Sequence, residues 1–190
     1  IINMEQLVAE FFAERMARGL NYAATLDDGS SKPQGLVPAA TVFNTGVAAT
    51  AITRDNIVDL IHSVDPAYRS AGKFMLNDST LKAIKKIAVG ASDDRPLYQV
   101  SPIVGEAATI EGYGFTINND MAAIGASAKS ILFGDFSKFI LRYAGNASIK
   151  RSIDRYVEFD QVAYVMFQRF DSELMDAGTH PIKVLTHAAS

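Results

Sequence analysis

The residues of this chain that could do chemistry are few, and their spacing suits none of the familiar reactions. The three histidines are His62, His180 and His187. No pair of them stands in an HExxH pattern or at the i,i+4 spacing that puts two imidazoles on one metal ion. His62 falls on the polar side of a predicted helix, and all three read as surface histidines. Asp27-Asp28-Gly29-Ser30 begins like a calcium loop but lacks the alternating oxygen ligands and the closing Glu, so turn chemistry explains it. Gly134-Asp135-Phe136 shares three letters with the kinase magnesium tripeptide, without the glycine loop, the HRD-like loop or the strand Lys that make that site. Gly112-x-Gly114 opens no helix and has no third glycine, so it does not make a dinucleotide site. GxSxG is absent and there is no cysteine, which leaves unsupported hydroxyls as the only nucleophiles. No metal and no cofactor are expected.

Composition narrows the field further. The chain has 190 residues, 48% hydrophobic and 21% charged, ordinary values for a folded globular protein of one domain or two small ones. Without cysteine, disulfides and iron–sulfur sites are excluded, which fits a reducing compartment. A net charge of -3 gives no global drive toward nucleic acid. No apolar run approaches the ~20 residues needed to span a bilayer. Lys138, Arg142, Lys150, Arg151 and Arg155, interleaved with Tyr143 and Tyr156, form a loosely basic stretch of the kind that can bind single strands. Glu158, Asp160, Asp171, Glu173 and Asp176 follow at once and cancel the charge. That succession favours ion pairing between subunits over nucleic-acid recognition.

These residues need elements to hold them. Met4, Leu7, Val8, Phe11, Phe12, Met16, Leu20 and Ala23 recur at three- and four-residue steps, predicting an amphipathic helix over about residues 3 to 26, ~36 Å long. The turn formers from Asp27 to Gly35 stop it. Residues 36 to 52 read as coil with a short strand. Thr53 caps a helix carrying Ile57, Leu60, Ile61 and Val64, which must end near Asp65 because Pro66 follows. A short buried strand is expected over Lys73 to Asn77, and a helix from Asp78 or Ser79 with Leu81, Ile84 and Ile87 on one face. Ser92 to Pro96 reads as a turn. Short strands follow at Leu97 to Val100, Ala108 to Glu111 and Tyr113 to Asn118, punctuated by Gly105, Gly112 and Gly114. Val162 to Phe167 suits either a helix face or a strand covered on both faces, and periodicity does not choose. The class is α+β.

Two blocks resemble a known family. The long helix running into LDDGSSKPQGL, residues 26 to 36, and ILFGDFSKF at residues 131 to 139, followed by IKRS, a charged turn, an apolar strand, Arg169 and a last strand at Ile182 to Leu185, are similar to the tailed-bacteriophage major capsid proteins of the Hong Kong 97 type. The resemblance covers nearly all 190 residues. It implies a peripheral (P) domain from residues 1–40 and 126–179, built on a spine helix, and an axial (A) domain from 41–125 and 180–190. It also implies that Val162 to Phe167 is a strand packed on the spine helix. Asp28, Gly29, Pro33, Gly35, Gly134, Asp135 and Phe136 are the family-motif residues, with structural roles. Family members begin with an N-terminal arm and an extended hairpin, the E-loop. This chain opens in mid-pattern, with Met4 its first Met, so natural sequence is expected upstream. Some members weld their shells with Lys–Asn isopeptide bonds assisted by a Glu; Val162 and Arg169 stand at the aligned positions and can do neither job.

The resemblance therefore implies a structural protein, not an enzyme: a major capsid protein of a tailed phage or prophage. It would form pentamers and hexamers in an icosahedral shell around non-specifically packaged double-stranded DNA, with scaffold, protease and portal proteins as possible partners and no membrane. It would pass from host cytoplasm to virion. An encapsulin-like bacterial compartment is the alternative in the same fold, and a small α+β hydrolase or ligand-binding domain the alternative outside it. Without arm and E-loop the chain is expected to be monomeric or weakly associated; light scattering that showed a closed shell from these residues alone would contradict this.

Overall fold

Helix α1 occupies Met4–Leu26, as the three-and-four spacing requires. The computed structural model describes residues 4–43, 48–90, 93–96, 98–99 and 108–189; Asn3, Ser92, Leu97, Val100 and Gly105 lie outside the described residues. Only Thr25 of α1 is fully buried. Its C-terminal end is seated by a polar clamp: buried Asn118 donates to Thr25 Oγ1 at 2.8 Å and accepts from Asn21 Nδ2 at 2.9 Å.

After the turn come α2 (Leu36–Ala39) and β1 (Thr41–Phe43). The start of the stretch expected as coil is thus a short helix. Gly35 opens it and Leu36 and Val37 are buried, so tertiary packing decides what weak local patterning could not. Thr53 caps α3 (Arg54–Ser63) in a reciprocal capping box with Asn56. Pro66, the stop signal, also opens the next short helix, α4 (Pro66–Arg69), as its first residue. β2 (Lys73–Leu76) leads to α5 (Asp78–Ile84), capped by Asn77. The segment expected as a turn at residues 92 to 96 instead supplies β4 (Asp93–Pro96), paired antiparallel with β3 (Ala88–Gly90). Pro96 stands at the end of the strand, where a missing N–H costs the ladder nothing. Then follow β5 (Tyr98–Gln99), β6 (Thr109–Ile110), β7 (Phe115–Ile117), β8 (Lys129–Gly134), β9 (Phe139–Tyr143), β10 (Ser148–Tyr156), β11 (Gln161–Phe167), β12 (Phe170–Leu174) and β13 (Ile182–Thr186). Val162 to Phe167 is therefore a strand. The residues that share a cleft with α1, however, come from β9 and β12: Leu141, Tyr143 and Phe170 face Ala17, Leu20, Asn21 and Ala24.

Five strands form the central sheet in the order β1-β13-β8-β2-β7. Alternation along β8 divides the core in two. Ile131 and Phe133, with Phe74, Leu76 and Leu185, join Ile57, Leu60, Leu81 and Ile84 of the helices on one face. Leu132, with Ile182 and Val184, joins Leu36, Val37, Met121 and Leu174 on the other. A strand covered on both faces must be apolar at every step, and residues 131 to 133 are fully buried.

The β12–β13 connection closes on Asp176. Its carboxylate accepts from Gly178 N at 2.8 Å, His180 N at 3.0 Å and the His180 ring at 2.8 Å. Partial burial pushes this acid up, but the hydrogen bonds from His180 and Gly178 outweigh it and hold its pKa below the usual carboxylate value.

Two predictions follow from this packing. Leu132→Ala should cost about 2–5 kcal/mol, read as a lowered urea midpoint with unchanged slope, whereas Val165→Ala on exposed β11 should stay within about 0.5 kcal/mol of the parent. Asp176→Ala should cost about 1–2 kcal/mol at pH 7. Because the folded-state pKa is depressed, the carboxylate's contribution is present above its ordinary value and is lost as pH falls through the folded one. The gap between variant and parent should therefore close below about pH 4, and thermal melts across pH 3 to 7 measure it.

Candidate assembly surface

The family-motif residues hold chain crossings in place. In the turn after α1, Pro33 O accepts from Gly29 N at 3.2 Å, Asp28 bridges to Gln34, and Asp28 Oδ1 accepts from Ser30 N at 3.0 Å. Gly35 N donates to Asp27 O at 2.6 Å, and a Cβ at Gly35 would stand 2.6 Å from Asp27 N, so only glycine fits. Gln34 stitches this turn to β12. Its N–H donates to Ser172 O at 3.1 Å, its carbonyl accepts from Ser172 Oγ at 2.8 Å, and its side chain accepts from Leu174 N at 3.1 Å. At the second motif, Gly134 has φ +152, and a Cβ there would lie 2.2 Å from Pro181 O. Asp135 N donates to that same carbonyl at 3.1 Å, while the Asp135 side chain accepts from Ser137 N at 3.0 Å and caps the 3-10 turn Phe136–Lys138. Phe136 packs against the Leu132 side of the core. Phe136 fills core space and the other six set backbone geometry, and the seven do not converge on one cavity. An open groove beside the first block, about 640 Å³ between residues 28–34 and 170–173, is polar and shallow.

Two hydroxyl–imidazole pairs invite a catalytic reading, and geometry refuses both. Ser130 Oγ lies 2.7 Å from His187 Nε2, and His187 Nδ1 lies 2.8 Å from Ala48 O. A carbonyl only accepts, so Nδ1 donates and Nε2 is free to take the Ser130 proton. Yet Ser130 is 0% and His187 2% exposed, so no substrate can reach them. His187 is thus a core residue, contrary to the surface role expected. The ladder register slips between Leu185 and Thr186, and no periodicity in the sequence announces such a slip. The polar Ser130 inside an apolar strand was the only clue. In the second pair, Thr41 Oγ1 lies 2.9 Å from His180 Nδ1, but Asp176 occupies that same nitrogen at 2.8 Å. A relay needs the acid on one ring nitrogen and the hydroxyl on the other. His62 is exposed and accepts from Arg69 Nη1 at 3.2 Å. Among the described residues, no cluster of three or more His, Cys, Asp or Glu side chains could hold a metal ion, and no helix is long and apolar enough to cross a membrane.

The unusual surface is the β10–β11 hairpin. Its strands pair from Ser148↔Phe167 to Tyr156↔Gln161. Ile149, Ile153, Val157, Phe159, Val162, Val165 and Phe167 are all exposed on it. An isolated two-stranded ribbon is at best marginally stable in water, and apolar groups clustered on a surface mark a contact site. Lys150 lies over the Phe167 ring at 5.6 Å and Arg155 over Tyr156 at 5.5 Å. Among the described residues, Lys150, Arg151, Arg155, Glu158, Asp160 and Arg169 make no ion pair. Val162 and Arg169, the positions that the resemblance aligned with the family's cross-link, lie on this hairpin and just after it, both exposed. Arg169 O accepts from Ala144 N at 3.0 Å.

Comparison with known proteins is consistent with a surface built for neighbours. No curated protein sequence matches the chain. Among solved structures, the capsid of a native GTA particle is 27% identical with a TM-score of 0.83, over 98% of this chain and 66% of that one. The Microbacterium phage Oxtober96 chain is 16% identical with a TM-score of 0.70, over 98% and 66%. A holo encapsulin complex from Synechococcus elongatus is 16% identical with a TM-score of 0.61, over 96% and 64%. The chain thus spans about two thirds of the length of these solved chains, and shares with them the α+β arrangement expected from the Hong Kong 97 resemblance. The model of the phage capsid family matches residues 1–186. With that pattern running from the spine helix to the last strand, the chain belongs to the phage capsid family.

Proposed function

We propose that this chain is the shell-forming body of a major capsid protein of a tailed phage or prophage, assembling as pentamers and hexamers into an icosahedral shell around double-stranded DNA. The observation that carries the reading is the β10–β11 hairpin, with apolar side chains exposed along both strands and charges that make no ion pair among the described residues. In a family of capsid proteins, neighbouring subunits are what covers such a surface. Many modest contacts, each repeated by symmetry, sum to a stable shell.

Within this reading the subunit has a peripheral part, residues 1–40 and 126–179, and an axial part, residues 41–125 and 180–190. Strand β8 hydrogen-bonds with β2 and β13, so within this reading it is the strand by which the peripheral segment enters the axial sheet. The role is structural: Val162 and Arg169 carry neither the amide nor the acid of an isopeptide weld, so the shell holds together without covalent cross-links. Scaffold, protease and portal proteins are the partners during assembly in the host cytoplasm. DNA is held without sequence preference.

Electron microscopy of the full-length gene product, expressed with its neighbouring genes, tests this. Icosahedral particles containing nuclease-protected double-stranded DNA are expected. Particles that hold a cargo protein and no DNA would establish the encapsulin reading instead, and failure to form particles would remove both. Boiling in detergent should release a single-chain band; a ladder of covalent multimers would contradict the uncross-linked shell.

A further inference from the structure

We propose that the tip of the β10–β11 hairpin of one copy seats in the groove at the base of the same hairpin of a second copy. The tip is the 3-10 turn Val157–Phe159, closed by Asp160 in the left-handed region at φ +51. It presents Val157 at 72% and Phe159 at 64% exposure, flanked by the carboxylates of Glu158 and Asp160. At the other end of the hairpin lies a groove of about 410 Å³ lined by Asn146, Ser148, Lys150, Phe167, Gln168 and Arg169, with Ala144 at its edge. Its charges are both cationic. Its aromatic floor, Phe167, is 53% exposed. An apolar, doubly acidic knob therefore matches a doubly basic, aromatic-floored slot in charge and in kind.

The knob cannot fill the slot of its own chain. Strand β10 is nine residues long, which separates tip from base by ~30 Å at about 3.3 Å per residue. The occupant must come from another molecule, and a second copy carries the complementary knob. This choice of partner rests on the shell-subunit reading above. The contact is heterologous, because knob and slot are different surfaces, and repetition propagates it from copy to copy. A polyanion is the competitor for the slot. A duplex polyanion brings phosphates but no apolar group to the exposed Phe167 ring, whereas the knob brings Val157 and Phe159 together with its two carboxylates, so the structure favours the second copy.

The chain has no cysteine, so introduced thiols report contact without background. Val157→Cys in one population and Ser148→Cys in another, mixed and oxidised in the full-length protein, should give disulfide-linked heterodimer at about tenfold the homodimer yield of either population alone. Adding Glu158→Lys and Asp160→Lys to the first population should remove that excess. Adding Lys150→Glu and Arg169→Glu to the second should restore it. Every substituted position is exposed; Asp160 alone sits at a positive φ, so Glu158→Lys with Asp160→Asn, which that backbone tolerates, is run beside the double lysine variant and should also remove the excess. Equal yields in all mixtures, or yields indifferent to charge reversal, would overturn the proposal. So would a groove variant that loses bound double-stranded DNA while its heterodimer yield is unchanged, which would assign the slot to a polyanion. Particles in the microscope with no excess heterodimer would sink this contact and leave the shell reading intact; heterodimers without particles would do the reverse.

Discussion

A strand enclosed on both faces has no solvent side on which to place a polar group, and β8 is the strand on which everything else here depends. It pairs with β13 on one edge and β2 on the other. Its alternating side chains feed two separate apolar clusters, one under α3 and α5, the other reaching α2 and β12. The only polar side chain buried within it, Ser130, is satisfied by His187, because an unpartnered hydroxyl at that depth would be costly. Strands β9 to β12 leave the sheet through Gly134 and the capped turn after it. The tight approach to Pro181 fixes the direction in which β9 leaves the sheet.

Much of this was legible in the sequence because local chemistry dictated it. The three-and-four spacing of α1, the Thr53 cap, the Pro66 boundary and the strand over Lys73 to Leu76 all rest on short-range rules. What escaped was set by partners far along the chain. Leu36 to Ala39 coils into a helix because Leu36 and Val37 are drawn into the core below it. Asp93 to Pro96 became a strand because Ala88 to Gly90 offered it an edge. His187 is buried because Ser130 and the Ala48 carbonyl, both far along the chain, satisfy its two ring nitrogens. The ambiguity at Val162 to Phe167 resolved as a strand because the chain folds back on Ser148 to Ser152, a pairing that hydrophobic periodicity in one segment does not encode.

The same division applies to the candidate surface. The glycine-rich and FGDFSK blocks carried the family resemblance, and they fix backbone crossings. The residues proposed to meet a neighbour lie elsewhere, on a hairpin whose sequence looked merely apolar and mixed in charge. Cations at its base and carboxylates toward its tip have meaning only once the hairpin is folded and the distance between them is known. Composition records the cancellation of charge and is blind to its separation.

The order of strands in the central sheet has a consequence for how the molecule is made. The edge strand β1 pairs in parallel with β13, Thr41 opposite Lys183, so a strand made early in these residues waits for one made much later. Closing so long a loop is slow, and unpaired edges stay open meanwhile. The hairpin, by contrast, pairs neighbours in sequence. The β10–β11 ribbon can therefore form on a nascent chain before the central sheet is complete, and β13 closes that sheet by joining β1 to β8.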